Sequence, residues 1–124
     1  MTVTLITGAN KGIGRETARQ LLELGHDVYL GARDAERGGK AAAELGARFV
    51  QLDVTDDASV GSALAAIGAA EGRLDVLVHS AGVLETGLDG PAALRSFDVN
   101  AVGIVRVTEA ALPCLLYTSD AADE

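Results

Sequence analysis

The sequence predicts an α/β domain built on a parallel sheet, and three observations carry that expectation. Four short runs of Val, Leu, Ile and aromatic residues recur along the chain, each followed by a longer segment of helical pattern. Acidic capping residues and helix-ending glycines stand at the seams. Strand and helix alternate four times, which calls for parallel strands joined by right-handed crossovers.

The first strand is VTLIT, residues 3–7, and the first helix runs from about Gly12 to Leu24, stopping at Gly25. DVYLG, 27–31, is the second strand. The helix after it spans Ala35 to Leu45, with Asp34 placed as its cap and Gly46 as its stop. RFVQL, 48–52, is the third strand and leads into DVTDD. There Thr55 is placed to cap a helix whose first turn holds Asp56 and Asp57, and whose Val60, Leu64 and Ile67 share a face. The fourth strand, LDVLVH at 74–79, is apolar on successive residues, the pattern of a strand covered on both faces. The last helix is expected from about Ala92 to Leu112. Phe97, Ala101, Ile104 and Ala111 mark one side of it, and Val99, Val102 and Val105 another. A helix so little divided is either deeply buried or covered by its own sheet and by a second subunit.

With 124 residues, nearly half of them apolar, the chain can bury one core and is not a disordered segment. The net charge of −8 argues against nucleic-acid and anionic-membrane partners. One cysteine, Cys114, excludes a disulfide framework, and His26 and His79 are too far apart in sequence to suggest a metal site. No signal-peptide pattern opens the chain and no apolar stretch would span a bilayer, so a soluble cytoplasmic protein is expected.

LITGANKGIGRE, residues 5–16, lies where the first strand gives way to the first helix. Gly8, Gly12 and Gly14 there offer a tight turn, close backbone approach to a bound group, and close helix–strand contact. The bare N–H groups at the helix start suit a pyrophosphate. The spacing is neither Gly-x-Gly-x-x-Gly nor a P-loop, and three glycines alone also suit a structural turn.

The second strand ends at Ala32 and Arg33, without the carboxylate that would accept from the ribose hydroxyls of NAD, and Lys11 lies in the glycine loop. Two cations there favour a 2′-phosphate, hence NADP(H) over NAD(H). Asp34 is the helix cap in this reading rather than the missing acid.

TGANKGIG resembles the cofactor loop of the short-chain dehydrogenase/reductase family. The similarity continues in order through GARD, LDVTD, VHSAG and FDVNAVG, from Thr2 to Pro113, and NKGIG with ARD brings the carbonyl-reductase-like members nearest. The resemblance implies a Rossmann-like, doubly wound parallel sheet with strand order 3-2-1-4, carried here through the fourth βα unit. It assigns Gly8, Asn10, Lys11, Gly12, Ile13, Gly14 and Arg33 to the cofactor, and Asp53 and Val54 to its adenine. Ser80, Ala81 and Gly82 would let the backbone pass close to it. Asn100 would hold a water in the proton relay and is the catalytic residue expected here. HSAG departs from the family's Asn-Asn-Ala-Gly, so His79 is read as a buried hydrogen-bonding stand-in for an asparagine, while His26 is expected to be exposed.

The family's reaction moves hydride between the nicotinamide and a small carbonyl or alcohol substrate. It uses a serine, and a tyrosine whose pKa is lowered by a lysine four residues on. Lys11 and Lys40 are the lysines of this chain and both precede the third strand, so no Tyr-x-x-x-Lys exists here. CLLYTSDAADE, 114–124, suits neither a continuing helix nor a strand. It resembles a translated sequencing-library adapter, a transposon end read in one frame. The expectation is therefore an N-terminal cofactor-binding portion, 1–113, followed by a non-native tail, and a chain that is inactive by itself. Two rivals stand beside it: a non-catalytic dinucleotide sensor, and another Rossmann enzyme such as a methyltransferase.

Overall fold

The computed structural model describes residues 1–82 and 89–123, the stretch 116–123 as backbone only. Strands β1 (Val3–Thr7), β2 (Asp27–Ala32), β3 (Arg48–Gln51) and β4 (Val76–Val78) form one parallel sheet in the order β3-β2-β1-β4. Helices α1 (Gly12–Glu23), α2 (Ala35–Leu45) and α3 (Asp57–Glu71) follow the first three strands. Beyond β4 come α4 (Gly90–Phe97), a π-turn (Asp98–Val102) and α5 (Gly103–Asp123).

The period of two along β1 divides the core. Val3 and Leu5 face one side with Val60, Leu64 and Ile67 of α3 and Val107 and Ala111 of α5. Ile6 faces the other with Ala18 of α1 and Ala41 and Ala42 of α2. Small side chains on α1 and α2 let those helices sit close, and Gly38 is the extreme case: a Cβ there would stand 2.9 Å from Ala32 Cβ and foul the Phe49 ring. Helices on both faces make this a Rossmann-like, doubly wound α/β domain, and the strand order is the expected one.

Four expectations change. The cap of α3 is Asp56, whose carboxylate accepts from Ala58 and Ser59 N–H, because Thr55 is held back by Asp53. Strand β4 is shorter than predicted and only half-buried, since it forms an edge of the sheet with a neighbour on one side. The last helical region starts earlier, at Gly90, with Asp89 as cap and Pro91 in the first turn, and it is interrupted by the π-turn. Nor does it stop at Leu112: α5 runs through Pro113 to Asp123. Pro113 removes the bond to the Glu109 carbonyl, and both residues are exposed, so water can take that acceptor.

Candidate functional site

The C-terminal ends of β1, β2, β3 and β4 lie along one edge of the sheet, where a doubly wound fold binds its ligands. From β1 the chain enters the glycine loop with Gly8 at φ +61° and Gly12 at φ +60°, a region that favours glycine. The loop is tied to β2 by the Ala9 N–H on the Gly31 carbonyl, 3.1 Å.

Gly8 and Gly14 are glycines for lack of space. A Cβ on Gly8 would stand 2.5 Å from Ala81 Cα, and one on Gly14 would stand 2.7 Å from Ser80 Oγ and 2.8 Å from the Gly8 carbonyl oxygen. The glycine loop is thus pressed onto the Ser80–Ala81 segment after β4. Gly12 differs, because nothing lies within 4 Å of where its Cβ would be. Close packing accounts for the first two, and backbone conformation beside open space for the third.

Thr7 is a residue the sequence reading missed. Its side chain is buried, and its Oγ1 accepts from both Ser80 N–H and Ala81 N–H at 3.1 Å. That one hydroxyl fixes the β4 end against the β1 end. A threonine closing a strand whose every residue is buried was the available signal, because a buried hydroxyl must find partners.

The start of α1 is chemically distinct from the other helix starts. Asp34, Asp56 and Asp89 cap α2, α3 and α4 with their carboxylates, whereas Lys11 stands at the N-cap of α1 with no side-chain cap bond. The α1 N–H groups therefore face the loop mouth with a cation beside them. Asn10 is half-buried in the loop, Lys11 is exposed, and Ile13 is exposed on the first turn.

Arg33 follows β2 and is exposed, while Ala32 is buried and brings no carboxylate. Asp34 is engaged as the α2 cap, accepting from Glu36 N–H at 3.0 Å and Arg37 N–H at 3.1 Å. Asp53 sits half-buried after β3. Its Oδ1 accepts from Thr55 N–H and Thr55 Oγ1, at 3.0 and 2.6 Å, and its own N–H donates to Ser59 Oγ. Burial, the largest single influence, pushes its carboxyl up, but the two Thr55 hydrogen bonds with Arg33 and Arg106 outweigh it and hold the pKa below the usual value. Asp53 is thus a turn aspartate kept ionised, with both Thr55 bonds on one of its oxygens.

Asn100 lies in the π-turn, exposed, with its Oδ1 3.3 Å from where a Cβ on Gly82 would be. Gly82 is exposed and Val54 buried. The π-turn itself was not legible as such, and turns of this kind recur at functional sites because they re-aim a side chain.

The histidines correct the sequence reading. His79 lies on the sheet edge and is exposed, with its Nε2 3.0 Å from Thr108 Oγ1, so it makes a hydrogen bond but is not buried. Partial desolvation of its ring against the fold lowers its pKa. His26 is half-buried, with Nδ1 2.9 Å from the Oγ1 of buried Thr4.

The residues present fit a dinucleotide: an uncapped helix N-terminus beside a cation, a glycine opening on free space, and an ionised aspartate just after the third strand. The family model of the short chain dehydrogenases matches residues 2–122. Human dehydrogenase/reductase SDR family member 13 is 38% identical over 90% of this chain and 31% of its own length. Oxidoreductase UcpA of Salmonella typhimurium is 40% identical over 94% of this chain and 47% of its own. Among solved structures, an actinorhodin polyketide ketoreductase with NADPH superposes with TM-score 0.83 at 32% identity, covering 90% of this chain and 46% of that one. The chain thus spans about a third to a half of the curated relatives it matches. Over that span, matching in fold and in sequence, the chain belongs to the short-chain dehydrogenase/reductase family.

Proposed function

We propose that the chain is the cofactor-binding portion of an NADP(H)-dependent oxidoreductase that acts on a small carbonyl or alcohol. The observation that carries this reading is the glycine loop: Gly8 and Gly14 are locked onto Ala81 and Ser80, while Gly12 and the uncapped start of α1 stay open. When bound, the nicotinamide dinucleotide supplies or accepts the hydride.

The residues of this chain hold and orient it. The α1 N–H groups take the pyrophosphate end, Asp53 takes the amino group of adenine, and Arg33 with Lys11 takes a 2′-phosphate. Asn100, beside Gly82, holds a water near the reacting end. The preference for NADP(H) is supported by Arg33 standing where no carboxylate competes, and by the NADPH of the ketoreductase. Without Tyr-x-x-x-Lys among the 124 residues, this chain binds cofactor and does not turn it over. A second copy packing along α4 and α5 belongs to the same reading, supported by exposed Leu94, Phe97, Val105 and Leu112.

Thermal-shift titration of the chain with NADPH, NADH and S-adenosylmethionine tests it. NADPH should raise Tm most and NADH less, with no effect of S-adenosylmethionine. A larger shift with S-adenosylmethionine would replace the reading by a methyltransferase, and no shift with any of the three would end it.

A further inference from the structure

We propose that Arg106 is a positioning residue: it holds the π-turn that carries Asn100 in register with the loop that carries Asp53 and Val54. The consequence for cofactor chemistry rests on the reading above, but the geometry stands without it. Arg106 Nη1 lies 2.7 Å from Asp98 Oδ1 and donates to the Val54 carbonyl oxygen at 3.1 Å. Its Nε lies 3.3 Å from Asp57 Oδ1. The Asp57 side chain is 90% exposed, which makes that contact the weak one, whereas the Arg106 side chain is only 22% exposed.

Helix geometry links the pair to the turn. At 100° per residue, a plain α-helix would set Asp98 and Arg106, eight positions apart, about 80° apart around the axis. The π-turn, closed by the Gly103 N–H on the Asp98 carbonyl, absorbs about one extra residue and returns the two to nearly the same face. The ion pair therefore depends on the π-turn, and the π-turn gains what the ion pair contributes.

Gly103 adds the second constraint. A Cβ there would stand 2.9 Å from Val54 Cγ2, so the helix rests directly on the residue whose carbonyl Arg106 holds. Relaxation of the π-turn to α-helix would rotate Asn100 by about 100° and carry its amide away from Gly82.

The test is amide hydrogen exchange and Cα chemical shifts by NMR on the whole chain. The variants are Arg106→Met, Arg106→Lys, and Asp98→Asn, which keeps the Val54 bond. In Arg106→Met the Gly103 amide should exchange about tenfold faster and the shifts of 98–102 should become those of α-helix, while β1 and β2 stay unchanged. Arg106→Lys should restore part of the protection. Asp98→Asn gives the same readout should Arg106→Met fail to fold. Protection and shifts at 98–103 unaltered in the variants that fold would overturn the proposal. An NADPH titration of the same samples keeps the two readings apart: no binding by the parent chain ends the cofactor reading, and the exchange data still decide Arg106.

Discussion

Gly8 and Ala81 meet backbone to backbone, so closely that a Cβ on Gly8 would stand 2.5 Å from Ala81 Cα. With φ at +61°, Gly8→Ala adds conformational strain to that clash and should cost about 3 kcal/mol of stability. Gly12→Ala is the control. Its φ of +60° is as unfavourable, but nothing stands within 4 Å, so about 1 kcal/mol is expected. Denaturant midpoints should separate the two variants, while cofactor titration should show Gly12→Ala losing affinity out of proportion to its stability. Equal destabilisation would mean that the contact with Ala81 is not what makes Gly8 necessary.

Thr7 offers a second test, because its Oγ1 accepts from two N–H groups of the β4 loop. Thr7→Val keeps the shape of the side chain and removes the acceptor. Ser80 N–H and Ala81 N–H then lose their partner, at a cost of about 2–4 kcal/mol together. Thr7→Ser keeps the oxygen and should recover most of that stability. A Thr7→Val protein with an unshifted urea midpoint would show that water serves those N–H groups equally well.

Acid should loosen the two ends of the sheet together. The Val3 N–H, at 2.8 Å, is the main influence holding the Asp75 carboxyl below its usual value; burial opposes it and Arg73 assists. Asp53 is lowered as well. Both groups have folded pKa values below the unfolded one of about 3.9, so their contribution is complete above that pH and is lost as pH falls through the folded values. Stability measured from pH 6 down to pH 2 should therefore fall most steeply below about pH 4. Asp75→Asn should flatten part of that fall, and an unchanged slope would show that Asp75 does not carry it.

The order of strands and helices was legible in the sequence because each rests on local pattern. Val3, Leu5 and Ile6 alternate sides, and Asp34, Gly25 and Gly46 punctuate where they should. What failed to show was set by contacts distant in the chain. Thr55 and Asp56 are equally good caps on paper, and the choice fell to Asp56 because Asp53 engages Thr55. The partner of Thr7 lies 73 residues away at Ser80, and no periodicity announces such a bond. The π-turn depends on Arg106 finding both Asp98 and Val54, which needs the third dimension. Among the candidate site residues, the glycines could be named from spacing, yet which of them packs and which stays open could not.

In the proposed reading Arg33 carries the cofactor preference, and its surroundings make the prediction sharp. The residue before it, Ala32, is buried and apolar, and Asp34 after it is spent on two N–H groups of α2. Arg33 is therefore the charged side chain at the end of β2 that remains available to a ribose substituent. A charge-assisted bond to a 2′-phosphate is worth about 1.5–3 kcal/mol, or roughly ten- to a hundredfold in affinity. Arg33→Asp should remove that bond and repel the phosphate, while offering a carboxylate to the free hydroxyls of NADH. Fluorescence titration should show NADPH weakened by at least tenfold and NADH held or improved. The NADPH affinity of the parent chain should also fall with added salt more steeply than that of Arg33→Asp, because the contact is exposed and screened. Equal weakening of both cofactors would place Arg33 outside phosphate recognition, and Lys11 would then be the cation to change next.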